Sequence, residues 1–274
     1  MWHGNYRFFD YKYNIDGYHG QDYMSPIQYI MCGISLLIVI VLLILLRKVS
    51  KEKSKKILLF LGIFITVFYL VKTAWESYWD IKTGRGFNMS ILPFDLCSLI
   101  MPTLIIAGLS KKDSKLEVFA STFIATIGFA GGVSNMIFLR GLNYYPMFTF
   151  GALYSLTWHA SMIFAALFIP INKFHKFRWI DILNSMVCLL SAALIILPYD
   201  YIMNEDFMFL NGAGGIPLIE DLGSKLVDSG LRVFASLTML LTYLLVSAIL
   251  VSIYIGVVKL GNVIKTSKTE KAAE

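Results

Sequence analysis

Residues 34–46 read ISLLIVIVLLILL, an apolar run broken only by Ser35, and six further stretches of the chain come close to it in length and composition. Crossing the roughly 30 Å hydrocarbon core of a bilayer takes about 17–25 predominantly apolar residues. Segments 26–46, 57–80, 91–109, 116–139, 147–171, 179–201 and 233–259 meet that requirement. The predicted fold is therefore all-α, a polytopic membrane protein built as a bundle of seven transmembrane helices. Composition agrees: 57% of the residues are hydrophobic and only 15% charged, against about 25% charged in a soluble chain. Seven prolines and no low-complexity tract argue against a disordered chain.

The basic residues set an expected orientation. Sixteen of the 24 lysines and arginines follow the first, third, fifth and seventh segments, and seven lie on the other side. Cytoplasmic loops carry the excess of Lys and Arg, which places the N-terminus outside and the C-terminus in the cytoplasm. The net charge of +6 is thereby read as an orientation signal, and no nucleic-acid partner is expected. Residues 1–25 form a polar extracytoplasmic leader, 26–260 the transmembrane domain and 261–274 a cytoplasmic tail. The leader lacks the basic start and immediate apolar core of a signal peptide. A multi-pass protein of the cell membrane with membrane lipids as its partners is the expectation. The three cysteines, Cys32, Cys97 and Cys188, fit no metal spacing, and no cofactor or metal is signalled. Seven spans suggest a retinal protein, but residues 233–258 contain no lysine for a Schiff base.

Ionisable residues within such segments are the informative ones, because each costs about 2.5–3.5 kcal/mol at mid-bilayer. In VKTAWESYWD, Lys72, Glu76 and Asp80 recur every four residues and form one stripe, with Trp75 and Trp79 beside it. Lys72 either snorkels outward or pairs with Glu76, while Trp79 and Asp80 equally suit an interfacial belt. The third segment opens ILPFDLCSLIMP. Pro93 suits a first helical turn, Asp95 the positive end of the helix dipole, and Pro102 a kink that frees the Ser98 carbonyl. Asp95 and Cys97 stand about 200° apart on a regular helix, so they share a site only if the helix is distorted there. A buried cysteine is otherwise a small inert hydrophobe. His159, in YSLTWHASM, falls near mid-membrane with Ser155 one turn earlier as a hydrogen-bond partner. Gly128 and Gly132 give a small-xxx-small packing pattern. Asn135 and Asp200 lie toward the outer side with the rest, so one polar cavity opening outward is expected. The loop 204–232 alternates apolar residues with glycines and acids; it reads as a lid over the outer mouth, with Gly212, Gly214 and Gly215 as flexible points.

Three stretches, LPFDLCS with Cys97, the Trp158-His159 region after NYYPMF, and DFMFLNGAGG, together with AWESYWDI, resemble the YwaF family of bacterial integral membrane proteins. The likeness runs from about residue 65 to 255. That family is related to eukaryotic transmembrane acyltransferases that remodel ether phospholipids, in which a cysteine early in one membrane helix acts with a histidine on another. The resemblance implies Cys97 as nucleophile and His159 as its base, although family members often carry His where this chain has Asp95. Helix depths of about 9 Å for Cys97 and about 18 Å for His159 leave roughly two turns between them. Lys72 would then hold a phosphate headgroup, and Asn135, Ser155 or a backbone N–H would stabilise the oxyanion. Two other readings stay open: an ion-coupled carrier or channel-like protein with Lys72, Glu76, Asp95 and His159 as a polar relay, and a membrane scaffold.

Overall fold

A computed structural model describes residues 7–11, 25–86, 92–143, 145–203, 206–208 and 217–271. Among these the secondary structure is helical throughout, in the order α1 (Pro26–Leu45), α2 (Lys51–Lys82), α3 (Ile100–Leu109), α4 (Lys115–Phe123), α5 (Phe129–Phe138), α6 (Arg140–Asn143), α7 (Phe150–Ile171), α8 (Asp181–Met203), α9 (Pro217–Asp228) and α10 (Arg232–Lys271). Six helices are long and apolar enough to cross a membrane, counting 115–138 as one. The third expected span is shorter. Its helix starts only at Leu96, with four residues of 3-10 turn leading into ten of α-helix, roughly 23 Å in all. Pro93 therefore stands ahead of the helix and not in its first turn. The chain is a multi-pass membrane protein.

The helix ends follow local chemistry. Pro26 opens α1, and the Gln28 side chain turns back to accept the Ser25 N–H at 3.0 Å. The Ser50 hydroxyl caps α2 by accepting from Lys53 N, and Ser114 caps α4 by accepting from Glu117 N. At 32 residues α2 is about 48 Å long, enough to carry both its ends beyond the hydrocarbon. Gly62 and Gly108 bring α2 and α3 into close contact. A Cβ on Gly108 would stand 2.6 Å from Leu59 Cβ, and one on Gly62 would stand 3.0 Å from Leu104 Cβ. Between α4 and α5 the helix widens into a π-turn at Ile124–Gly128. There the Ala125 carbonyl accepts the Tyr254 hydroxyl of α10 at 2.9 Å.

The most enclosed helix is α7, with 78% of its apolar window buried against 17–28% for α1, α2, α8 and α10. It packs on α1, α2, α5 and the π-turn. Gly132 makes the α5 contact possible, since a Cβ there would lie 2.9 Å from Ile163 Cγ1 and 3.1 Å from the His159 carbonyl. The expected small-residue packing is thus found, and it falls at the histidine. A second apolar cluster joins α8 and α10 to the start of α3 through Leu96, Met186, Leu189, Phe207, Met208 and Met239. Exposed Leu, Ile, Val and Phe side chains on α1, α2, α8 and α10 form the lipid-facing shell.

Candidate functional site

The C-terminal third of α2, the entry to α3, the start of α7 and the end of α8 meet at one end of the bundle. From α2, Lys72 Nζ lies 2.5 Å from Glu76 Oε2, so the i, i+4 spacing seen in sequence is a formed ion pair. Glu76 is buried, and its other oxygen accepts the Tyr145 hydroxyl at 2.7 Å. The Lys72 ammonium also stands 5.8 Å from the Tyr69 ring centre and 5.6 Å from that of Tyr154, within cation–π range. These partners hold the charge in place and account for a lysine at this depth. Trp75 and Trp79, expected as an interfacial belt, both donate their indole N–H to the Phe9 carbonyl at 2.9 Å.

Asp95 and Cys97 share this site because the helix is not regular there. Asp95 is in the N-cap position of the 3-10 turn, with extended backbone and no side-chain capping bond, and Cys97 follows inside the turn. Asp95 feels the charges of Lys72, Glu76 and Asp200; Cys97 feels those of Asp95 and Lys72. Lys72 thus stands near both Glu76 and Asp95, with Asp200 near Asp95. Pro102 sits beyond the 3-10 turn, whose geometry gives the Ile100 N–H to the Cys97 carbonyl. Cys97 as a residue is half-buried. It lies against Trp158, whose ring stacks in tilted fashion near Tyr69 (5.7 Å) and Tyr154 (5.4 Å). Tyr243 of α10 adds a further wall, its hydroxyl donating to the Met208 carbonyl at 3.0 Å.

Asp200 is buried at the end of α8 and accepts the Phe207 N–H at 3.3 Å, while Leu96 N donates to the Phe207 carbonyl at 3.3 Å. Residues 206–208 therefore run between α8, α10 and the helix that carries Cys97, with Phe207 packed on Phe94 and Tyr199. Loop 204–232 contributes these three residues and α9, which packs on α10; Gly212, Gly214 and Gly215 lie outside the described residues. The leader reaches the same end. Phe150 N donates to the Phe8 carbonyl at 2.7 Å, and Tyr11 is buried against Trp75 and Tyr145.

His159 takes a different direction. Its Nδ1 hydrogen-bonds the Ser155 backbone carbonyl at 2.7 Å, so the partner is the main chain of Ser155 and not its hydroxyl. A carbonyl only accepts, so Nδ1 carries the proton and the neutral ring keeps its lone pair on Nε2. Asn135 and Cε1 of His159 both border Gly141: a Cβ there would meet Asn135 Nδ2 at 2.8 Å and His159 Cε1 at 3.2 Å. Asn135 and His159 are therefore neighbours. Among the described residues no hydrogen bond joins His159 to Cys97. The one-residue step from Trp158 to His159 turns about 100° around α7, which puts the indole toward the thiol and the imidazole toward α5.

Of the residues picked from sequence, Lys72, Glu76, Asp95, Cys97 and Asp200 come together, whereas Asn135, Ser155 and His159 form an adjoining group. Tyr69, Tyr145, Tyr154, Trp158 and Tyr243 were not picked. Tyr145 stood inside NYYPMF, but its pairing with a glutamate 69 positions away has no periodic signature. No group of three or more His, Cys, Asp or Glu residues able to hold a metal occurs among the described residues.

Searches among curated proteins and among solved structures give no match. A protein family of membrane proteins matches residues 23–243, a region that takes in every site residue named above; the chain belongs to the TMEM164 family.

Proposed function

We propose that this chain is an intramembrane lipid acyltransferase with Cys97 as its nucleophile. The observation that carries the reading is the setting of Cys97: a half-buried residue in the opening turn of the short third helix, beside Lys72 and Asp95 and walled by Tyr69, Tyr154 and Trp158. The resemblance to the YwaF family, and through it to ether-phospholipid acyltransferases, supports the same assignment. The remaining topology belongs to this proposal: the short third helix completes a seventh crossing with residues 92–95, the N-terminus faces outward, and the protein resides in the cell membrane.

The reaction runs in two balanced halves. Cys97 sulfur attacks the ester carbonyl of a phospholipid, its proton passing to His159 Nε2 through a bridging water. The lysophospholipid alkoxide then leaves and takes that proton back, and Cys97 holds a thioester. An acceptor alcohol attacks the thioester, its proton again passing by way of His159, and the Cys97 thiol is restored as the new ester departs. Ser155 acts through its carbonyl, which fixes the tautomer that leaves Nε2 free. Lys72 binds the phosphate; Glu76, Asp95 and Asp200 keep it charged and in place. Asn135 orients His159 from the α5 side.

The test is direct. Vesicles containing the purified protein and a phospholipid labelled in its acyl chain should give a hydroxylamine-sensitive adduct on the wild type and none on Cys97→Ser. A wild type without adduct, or an equal adduct on Cys97→Ser, ends the reading. The excess of carboxylates around Lys72 favours one second reading, an ion-coupled carrier. It requires that Glu76→Gln abolish proton or solute flux in proteoliposomes while Cys97→Ser leaves it unchanged.

A further inference from the structure

Trp158 presents a problem that the acyltransferase reading by itself leaves open. It is among the largest fully buried side chains, 2% exposed. Its indole Nε1–H lies against the Cys97 sulfur but reaches no acceptor with full hydrogen-bond geometry. An indole has one donor and nothing else to offer, and leaving such a donor unpaired in a buried setting costs about 1–3 kcal/mol. Other tryptophans of this protein avoid the cost: the N–H groups of Trp75 and Trp79 both end on the Phe9 carbonyl. The indole also packs against the rings of Tyr69 and Tyr154. A buried donor set against a nucleophile and short of a good acceptor is what acyl transfer uses to stabilise charge on the carbonyl oxygen.

We propose that Trp158 Nε1–H is the oxyanion donor of this site, taking as its acceptor the carbonyl oxygen of the acyl group that Cys97 attacks. The assignment rests on the acyltransferase reading and adds a residue to it. When Cys97 sulfur bonds to the ester carbon, the carbonyl π-electrons move onto oxygen, and that oxygen is two bonds from the sulfur. A donor set against the sulfur is within reach of it. As the leaving alkoxide departs, the electron pair returns to the C=O and the indole keeps a neutral acceptor in the thioester. Trp158 thereby takes the part for which Asn135, Ser155 or a backbone N–H stood as sequence candidates. Asn135 and the Ser155 carbonyl lie with His159 on the neighbouring face of α7.

Two replacements separate the donor from its volume. Trp158→Phe removes the N–H and some bulk. Incorporation of β-(benzothienyl)alanine at 158 keeps the bicyclic shape and puts sulfur where N–H was. Each is read for thermal unfolding, for the first-order rate of Cys97 acylation by labelled phospholipid, and for Cys97 alkylation by iodoacetamide, which passes through no oxyanion. The expected result for the isostere is an unchanged melting temperature, alkylation within twofold of wild type, and acylation slowed about 100-fold or more with the same dependence on lipid concentration. Undiminished acylation in the isostere overturns the proposal while leaving Cys97 as nucleophile. Equal losses in acylation and alkylation overturn it too, because the indole would then act on the thiol. A wild-type thiol that is alkylated but never acylated removes the acyltransferase reading, and this role with it.

Discussion

Each end of the bundle holds a buried glutamate gripped by lysine, yet the two are built differently. At the inner end, by the proposed orientation, Glu117 lies 2.7 Å from Lys51 and 3.2 Å from Lys55, and also accepts the Asp113 N–H at 3.1 Å. Lys55 donates in turn to the Ser110 carbonyl, and Lys51 reaches Asp113 at 2.8 Å. The Asp113 carboxyl, exposed in its loop, is held below its usual range by the Lys51 hydrogen bond. Cations match anions, and the Lys51 and Lys55 contacts tie the start of α2 to the α3–α4 turn and the start of α4. The neighbouring group is also closed: Asp181 receives His175 Nε2, Arg178 N and Asn184 Nδ2. At the outer end Lys72 faces Glu76 and Asp95, with Asp200 near Asp95; a thiol stands beside them, and a tryptophan N–H lies against that thiol short of full hydrogen-bond geometry. The balanced cluster is explained in full by the packing it stabilises. The other brings a thiol and a buried indole donor into a charged cluster, more than packing requires.

Glu117→Gln should produce the largest loss of stability. It takes one partner from Lys51, which keeps Asp113, and one from Lys55, which keeps the Ser110 carbonyl, and breaking a buried pair costs about 3–5 kcal/mol. The retained Asp113 contact puts the expectation at about 3 kcal/mol. Thermal unfolding in detergent reads it, and acyl adduct per folded molecule should stay at the wild-type level. Glu76→Gln should reverse the pattern: a smaller loss of stability, because Asp95 still faces Lys72, and adduct formation slowed about tenfold or more. A hydrogen bond to a charged group contributes about 1.5–3 kcal/mol, and it is the placing of Lys72 that is lost. If both variants lose stability and adduct in the same proportion, the contrast between the two ends is void.

Gly151→Ala should come next. A Cβ there would stand 2.1 Å from Tyr145 Cδ1, so the ring must move, and with it the hydroxyl that holds Glu76. Overpacking of this kind costs about 1–3 kcal/mol. Tyr145→Phe removes the same hydroxyl without moving the ring. The two variants should slow acylation alike while only Gly151→Ala lowers the melting temperature by more than a few degrees. A Gly151→Ala protein with wild-type acylation would show that the Tyr145–Glu76 bond is dispensable.

The sequence made the apolar lengths and the Lys72–Glu76 pair legible, since both depend on helical spacing alone. It misled at the third segment. Residues 92–95 are apolar enough to count toward a span, but hydropathy does not separate extended backbone from helix, and Pro93 with Asp95 delays the helix to Leu96. The same delay resolved the angular objection to Asp95 and Cys97 sharing a site, because the opening turn is 3-10. Glu117 sat within the fourth expected segment without a visible partner; Lys51 and Lys55 come to it from another helix. Likewise nothing in the periodicity of α7 tells that Trp158 and His159 face different neighbours. Contacts set by tertiary approach leave no periodic trace.

The polar leader offers the finest test of the contrast. Its Phe9 carbonyl takes two indole N–H donors, from Trp75 and Trp79, and its Phe8 carbonyl takes Phe150 N. Trp75→Phe keeps an aromatic ring against Tyr11, Tyr145 and Phe150 and leaves Trp79 as the second donor. Its cost should stay near 0.5–1 kcal/mol, that of one neutral hydrogen bond already half compensated. Hydrogen exchange at Phe150 should quicken only about two- to fivefold in the single variant, and much more when Trp79→Phe is added. The Val49 amide, bonded to Asn172 Oδ1 at 3.0 Å at the other end of the bundle, should not change in either. Quickening at Val49 would mean that the two ends loosen together, and that the leader stabilises the whole bundle where the contacts place it on the outer site alone.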